Sequence, residues 1–319
     1  MKIVILDGET LNPGDISWHV FNKLGDVAVY DRTPEKLIVQ RIGDAEAVFT
    51  NKTPISAQTI EQCPSVKFIG VLATGYNVVD IKAAHKQSIV VCNVPSYGTM
   101  AVAQYATGLL LELCHHIGEH SSDVRSGGWC GRLDFCYWHS PLIELMGKKL
   151  GLIGYGRIGS AFAKIAQALG MEVLVYTPSG KSAEAHSDVK FTSLDELLAE
   201  SDVISLHCPL TIDNAGLINR QSIAKMKDGA MLINTARGGL IVEHELAEAL
   251  NTGKLSGAAL DVLAAEPPPN NNPLLNARNC IITPHIAWAP KEARIRLMGI
   301  AAENLEKFLA GTPQNIVSK

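Results

Sequence analysis

Arg237, Glu266 and His285 carry the chemistry most readily read from this chain, and they follow the glycine fingerprint Gly154-Tyr155-Gly156-Arg157-Ile158-Gly159 in that order. Each lies shortly beyond an apolar run: Met231 to Asn234, the run ending at Asp261, and Ile281 to Thr283. Doubly wound sheets hold ligands at the C-terminal ends of their strands, so Arg237 and His285 are expected to point into one crevice. A guanidinium can grip a carboxylate with two hydrogen bonds, a geometry Lys cannot reproduce. An imidazole can move a proton, and a carboxylate bonded to it would fix the ring and favour its protonated form. Such a set suits the reduction of a 2-oxo acid, in which a cation polarises the carbonyl and an acid protonates the forming alkoxide. Taken singly, Arg237 reads better as a surface charge, Glu266 as a loop residue and His285 as a turn residue; only the joint placement carries the argument.

The fingerprint follows the strand pattern Lys149 to Ile153 and opens the helical pattern Ser160 to Ala166. In that context Gly154 permits a tight turn, Gly156 lets a pyrophosphate approach the backbone and Gly159 lets the helix press on the sheet. The helix N-terminus would face the anion. A glycine turn with nothing bound is the plain alternative, and the next strand pattern, Met171 to Tyr176, argues against it.

The elements that position these residues show a βαβ rhythm. Short apolar runs at residues 3–6, 27–30, 47–50, 68–72 and 89–93 alternate with helical patterns, among them 16–24, 35–42, 57–62 and 79–86. A long apolar helix is expected from Ala101 to about His115 as a bridge, then a Gly- and aromatic-rich arm from Arg125 to Pro141. Six strand patterns then run from Leu150 to Thr283, enough for a complete dinucleotide domain, and a final helix spans Lys291 to about Leu309. The expected fold is α/β: a doubly wound parallel-sheet (Rossmann) dinucleotide domain plus a smaller flavodoxin-like α/β substrate domain. The expected division is 1–98 with 289–319 for the discontinuous substrate domain and 99–288 for the dinucleotide domain.

The chain has 319 residues, 47% hydrophobic, and a net charge of −4. That composition supports a substantial core in two domains. With no basic stretch, it gives little support to nucleic-acid or membrane-surface binding. The opening run Ile3 to Leu6 is too short for a secretory leader and reads as a strand, and no apolar segment is long enough to span a bilayer. Seven cysteines without a CxxC pair suggest reduced thiols in a cytoplasmic protein. His115 and His116 are adjacent on a helical stretch and point apart, so no metal is expected.

The chain resembles the D-2-hydroxyacid dehydrogenase family over nearly its whole length. The matching segments are Ala73 to Asp80, Asn93-Val94-Pro95, Gly154 to Gly159, Asn234 to Gly239, Asp261-Val262 with Glu266-Pro267, and Thr283 to Trp288. Asp134 to Trp138 and His285 to Trp288 make it similar to the glycerate dehydrogenase (hydroxypyruvate reductase) branch. The resemblance implies that Arg237 binds substrate, Glu266 supports the histidine and His285 donates the proton. It further implies backbone N–H groups of Thr74 and Gly75 on the substrate carboxylate, and Arg157 and Ile158 at the pyrophosphate. His207, Cys208 and Pro209 would line the adenosine side, with Thr235, Asp261 and Trp288 near the nicotinamide. For Thr74-Gly75 and for Cys208-Pro209 a plain loop is a fair competing reading.

One departure concerns the cofactor. After Tyr176 the chain reads Thr177-Pro178-Ser179-Gly180-Lys181, where an NAD-preferring fold usually places an Asp or Glu. Without that acid the barrier to a 2′-phosphate is gone, and Thr177, Ser179 and Lys181 are candidates to bind it. NAD or NADP is therefore expected, with a small 2-oxo acid such as hydroxypyruvate or glyoxylate as substrate. A homodimer is expected from the resemblance and from the aromatic arm. Two other readings stay open: an enzyme for lactate- or isocaproate-type acids, and a non-catalytic dinucleotide-sensing protein.

Overall fold

The computed structural model describes residues 1–177 and 189–318. The chain forms two compact units, Met1–Gly98 with Trp288–Lys319, and Thr99–Ala287. The first unit holds the strands β1 (Lys2–Ile5), β2 (Asp26–Val29), β3 (Ala47–Thr50), β4 (Phe68–Val71) and β5 (Val90–Cys92). They pair in parallel in the order β2-β1-β3-β4-β5, the flavodoxin-like arrangement. Strand residues alternate between faces, and the inner strands β1, β3 and β4 are covered on both, so their runs are mostly hydrophobic, while the edge strand β2 is mostly exposed. Val4, Val48, Ile69 and Val91 pack on one side, while Ile3, Ile5, Phe49 and Phe68 pack on the other. That second face receives Leu297, Met298, Ala301 and Leu305 of helix Lys291–Leu309. Arg294 of this helix makes a two-pronged bond of 2.7 Å on each arm to Asp15.

The second unit holds β6 (Lys149–Ile153), β7 (Glu172–Tyr176), β8 (Lys190–Phe191), β9 (Val203–Leu206), β10 (Ala230–Asn234), β11 (Leu255–Leu260) and β12 (Cys280–Ile282). All pair in parallel, in the order β12-β11-β10-β9-β6-β7-β8. The order reverses between β6 and β9, the switch point where doubly wound sheets bind ligands. One face packs on helices Thr99–His115 and Arg157–Ala168 through Leu110, Leu113, Phe162 and Ala166, and the other buries Leu206, Leu232, Leu246 and Leu260.

The α/β architecture agrees with the sequence reading, and its differences have local causes. The helical pattern over 16–24 yields only His19–Asn22, because Asn12 turns the preceding chain back by accepting from the amides of Gly14 and Ile16. Strand β8 has two residues, too short to show a period. The arm after helix Ile117–Arg125 is a series of turns, tied down where Tyr137 donates to Asp123 at 2.5 Å and Arg132 stacks on the Tyr137 ring. Leu133, Phe135 and Trp138 of this arm are exposed. Among the described residues, no helix is long and apolar enough to cross a membrane.

Candidate active site

A single transverse row of the second sheet sets the site. Tyr176, Ile153, Leu206, Asn234, Leu260 and Ile282 are register partners in succession across six strands. The chain leaves the sheet directly after each. Thr177, Gly154, His207, Thr235, Asp261 and Thr283 therefore emerge side by side along one edge. Arg237, Glu266 and His285 lie three to six residues beyond this row.

The fingerprint turn is shaped by contact. Gly154 has φ +103, and a Cβ there would come within 2.6 Å of the His207 carbonyl carbon. Gly159 lies so near the Gly154 carbonyl oxygen that a Cβ would meet it at 2.3 Å. Gly156 differs: no described atom lies within 4 Å of where its Cβ would sit, and it has no side chain to cap helix Arg157–Ala168. Open space beside uncapped first-turn amides, Arg157 and Ile158 included, suits an anion. Across the row, Thr235 presents a buried hydroxyl that finds no hydrogen-bond partner among the described residues. A buried hydroxyl left unpaired is costly, and the polar edge of a bound ligand would satisfy it. These features fit a dinucleotide laid along the strand ends.

His207 donates or accepts at Nε2 with the Ser205 hydroxyl at 2.9 Å and packs against Phe162. Part of its surface meets solvent, but the packing around the ring excludes enough water to push its pKa down to about 4, so it is neutral at physiological pH. Burial likewise raises the pKa of the Cys208 thiol, while Pro209 is exposed. Thr177 is half-buried; Ser179 and Lys181 lie outside the described residues.

The loop of Arg237 is closed by Asn234, a fully buried residue that sequence reasoning passed over as part of a strand. Its Oδ1 accepts from the Ala236 amide at 2.9 Å and its Nδ2 donates to the Arg237 carbonyl at 2.8 Å. The guanidinium of Arg237 is exposed and donates to the Ala236 carbonyl at 2.7 Å. Gly238 brings this loop against the next: a Cβ there would strike the Leu263 carbonyl carbon at 1.9 Å. The loops carrying Arg237 and Glu266 are thus in contact.

Glu266 and His285 are in direct contact, with Nδ1 of the ring 2.6 Å from Oε2 of the carboxylate. The other oxygen, Oε1, accepts from the Leu263 amide at 3.1 Å. His285 adopts the left-handed region, φ 55, with its amide bonded to the Thr283 carbonyl at 2.9 Å. Asp261 holds this loop: it accepts from the Thr283 hydroxyl at 2.7 Å and from the amides of Ile286 and Ala287 at 2.9 and 2.8 Å. It is 1% exposed, and burial raises its pKa despite those bonds. Glu243 was also missed; it ties the Ala264 amide to the Asn272 side chain, at 2.8 Å each. Its signal in the sequence is only that of a first-turn acid on helix Glu243–Thr252.

Two expected groups lie in the first unit. Thr74 and Gly75 leave β4 at its C-terminal end, and the Thr74 hydroxyl donates to the Val94 carbonyl at 3.0 Å. Trp288, expected beside the nicotinamide, packs with that unit's cluster and lies edge-on to Tyr97 at 6.5 Å.

Comparison with known proteins places the whole chain in one family. Residues 107–287 match the family described as D-isomer specific 2-hydroxyacid dehydrogenase, NAD binding domain. The chain is 55% identical to a hydroxypyruvate reductase of Blautia hydrogenotrophica over the full length of both. It is 42% identical to a glycerate dehydrogenase of Methylorubrum extorquens, covering 99% of this chain and 98% of that one. A crystal structure of a Thermus thermophilus protein superposes with a TM-score of 0.87 at 34% identity, over 99% of this chain and 100% of that one.

Proposed function

The chain belongs to the D-isomer specific 2-hydroxyacid dehydrogenase family, and from that membership we propose that it reduces hydroxypyruvate or glyoxylate to the D-2-hydroxy acid. The observation that carries this reading is the Glu266–His285 pair at 2.6 Å, with the Glu266 loop packed against that of Arg237. The reduced nicotinamide supplies the hydride. Arg237 grips the substrate carboxylate and polarises the adjacent carbonyl. His285, its Nδ1 held by Glu266, presents Nε2 to the carbonyl oxygen and delivers a proton there as the alkoxide forms. Thr74 and Gly75 donate backbone N–H bonds to the carboxylate.

Gly154, Gly156 and Gly159 would cradle the dinucleotide pyrophosphate together with the amides of Arg157 and Ile158. His207, Cys208 and Pro209 would line the adenosine side, and Thr235, Asp261 and Trp288 the nicotinamide side. Both NADH and NADPH are accepted, since the sequence sets Thr177 and no acid directly after the strand end at Tyr176. A second copy of the chain covers the exposed Leu133, Phe135 and Trp138, giving a homodimer. Seven cysteines without a disulfide support a cytoplasmic setting.

The test is direct. Purified protein is mixed with NADH or NADPH and with hydroxypyruvate, glyoxylate, pyruvate or 2-oxoisocaproate, while reduced-nicotinamide absorbance is followed and product chirality is assigned. Fastest loss with hydroxypyruvate or glyoxylate, giving the D-product, supports the proposal. A preference for the longer acids moves the chain to the lactate or isocaproate class. Tight cofactor binding with no turnover of any acid identifies a sensor.

A further inference from the structure

Three asparagines close a hydrogen-bonded ring behind the Thr74–Gly75 loop, within the first unit. Asn304, 1% exposed on helix Lys291–Leu309, donates through Nδ2 to the Asn93 carbonyl at 2.9 Å. Its Oδ1 accepts from Nδ2 of Asn315 at 2.8 Å, and the Asn315 carbonyl accepts from the Asn93 amide at 3.2 Å. Both main-chain groups of Asn93 are therefore held by the C-terminal segment. The Asn93 side chain faces the other way, and its Nδ2 donates to the Thr74 carbonyl at 2.7 Å. Two further bonds complete the staple: Val94 amide to Ala73 carbonyl at 3.0 Å, and Thr74 hydroxyl to Val94 carbonyl at 3.0 Å.

The direction of each amide is fixed by its neighbours. A main-chain carbonyl only accepts, so Asn304 must turn its nitrogen to Asn93 and its oxygen to Asn315, which must in turn offer its nitrogen. Neither Asp nor Leu can play both parts. The segment carrying Asn315 is itself anchored along β5, with Val317 amide to Val91 carbonyl at 2.8 Å and Val91 amide to the Ser318 hydroxyl at 3.0 Å. Asn315 has φ 53, a conformation that Asn tolerates better than most residues and that aims its side chain at Asn304.

We propose that Asn304 and Asn315 are positioning residues for substrate binding: through Asn93 they hold the Thr74–Gly75 loop in register, so the C-terminal segment sets the affinity for the 2-oxo acid. This rests on the reading of Thr74 and Gly75 as carboxylate donors. Small displacements of such donors are costly, so losing the ring should raise KM for glyoxylate and hydroxypyruvate about tenfold. The dinucleotide, whose pyrophosphate the other unit would hold, should keep its dissociation constant.

The experiment compares Asn315→Gly, which keeps the left-handed backbone and removes the side chain, with Asn304→Asp and Gly75→Pro, which removes the Gly75 N–H. Steady-state KM and kcat for both acids, NADH affinity by fluorescence titration and Tm are measured for each. The proposal expects raised KM with unchanged NADH affinity in all three, and Tm near wild type for Asn315→Gly. Should Asn304→Asp fail to fold, Asn315→Gly decides alone. Raised KM in Gly75→Pro with wild-type KM in Asn315→Gly overturns the positioning role, whatever happens to Tm. Wild-type KM in Gly75→Pro removes the carboxylate-donor reading, and this proposal with it.

Discussion

Asp261 holds Ile286 by its main chain, Oδ1 to amide nitrogen at 2.9 Å, and the residue just before Ile286 is His285. The buried carboxylate just after β11 thus fixes the backbone beside His285, one strand away. Asp261→Asn keeps the size but aims an amide NH2 at groups that are themselves donors. It should cost about 1–3 kcal/mol in stability, the penalty for buried donors left unmatched. Chemical denaturation checks the stability, and the remaining folded enzyme should show reduced kcat because the His285 loop has lost its clamp.

His285→Gln should lower kcat by about 10²- to 10⁴-fold, the usual worth of a positioned general acid. Cofactor affinity should hardly change. Stopped-flow single turnovers would separate this loss from slow product release, and a wild-type chemical step would remove His285 from the mechanism.

Arg237→Lys keeps the charge but loses the two-pronged geometry. A fall in kcat/KM of about 10- to 100-fold is expected, the worth of one charge-assisted hydrogen bond. Rates with glyoxylate, which offers little beyond its carboxylate and carbonyl, give the sharpest readout.

Two fingerprint glycines should fail in different ways. Gly154→Ala forces a side chain to φ +103 and into the His207 carbonyl carbon at 2.6 Å, which should cost about 2 kcal/mol or more. Gly156→Ala points its methyl into open space, so the protein should keep its Tm and lose dinucleotide affinity. Calorimetric melting with and without NADH distinguishes the two outcomes.

His207 supplies a pH dependence. Its pKa in the folded chain is about 4, below the ordinary 6.5, so between those values the unfolded chain binds a proton that the native chain does not. Stability therefore falls as pH drops through that window, by at most about 3 kcal/mol and less to the extent that water reaches the ring. His207→Gln should flatten the acid limb of a urea-denaturation series; an unchanged limb would assign the acid sensitivity elsewhere.

The sequence made the strand ends legible because parallel strands buried on both faces are written as continuous apolar runs, and residues such as Arg237 and His285 stand out just after them. Thr177 through Thr283 could be placed at strand ends, but not in one row, since register comes from pairing between segments far apart in the chain. Asn234 was hidden for a related reason. It reads as the polar last residue of an apolar strand, and its task becomes visible only when the following turn folds back on its amide. Asn304 lay further from view, because a lone Asn in an amphipathic helix gives no sign that its partners are Asn93 and Asn315. Hydrophobic periodicity reports burial, and a polar residue buried for its hydrogen bonds departs from that pattern without saying toward what.

The row from Tyr176 to Ile282 divides the chain into parts that evolution can treat differently. Inserting one residue inside β12 ahead of Ile282 would displace His285 by about 3.3 Å and turn every following strand side chain to the opposite face. Lengthening the loop beyond His285 disturbs neither. The connecting segments can therefore drift while His285 stays locked to the weave of the sheet.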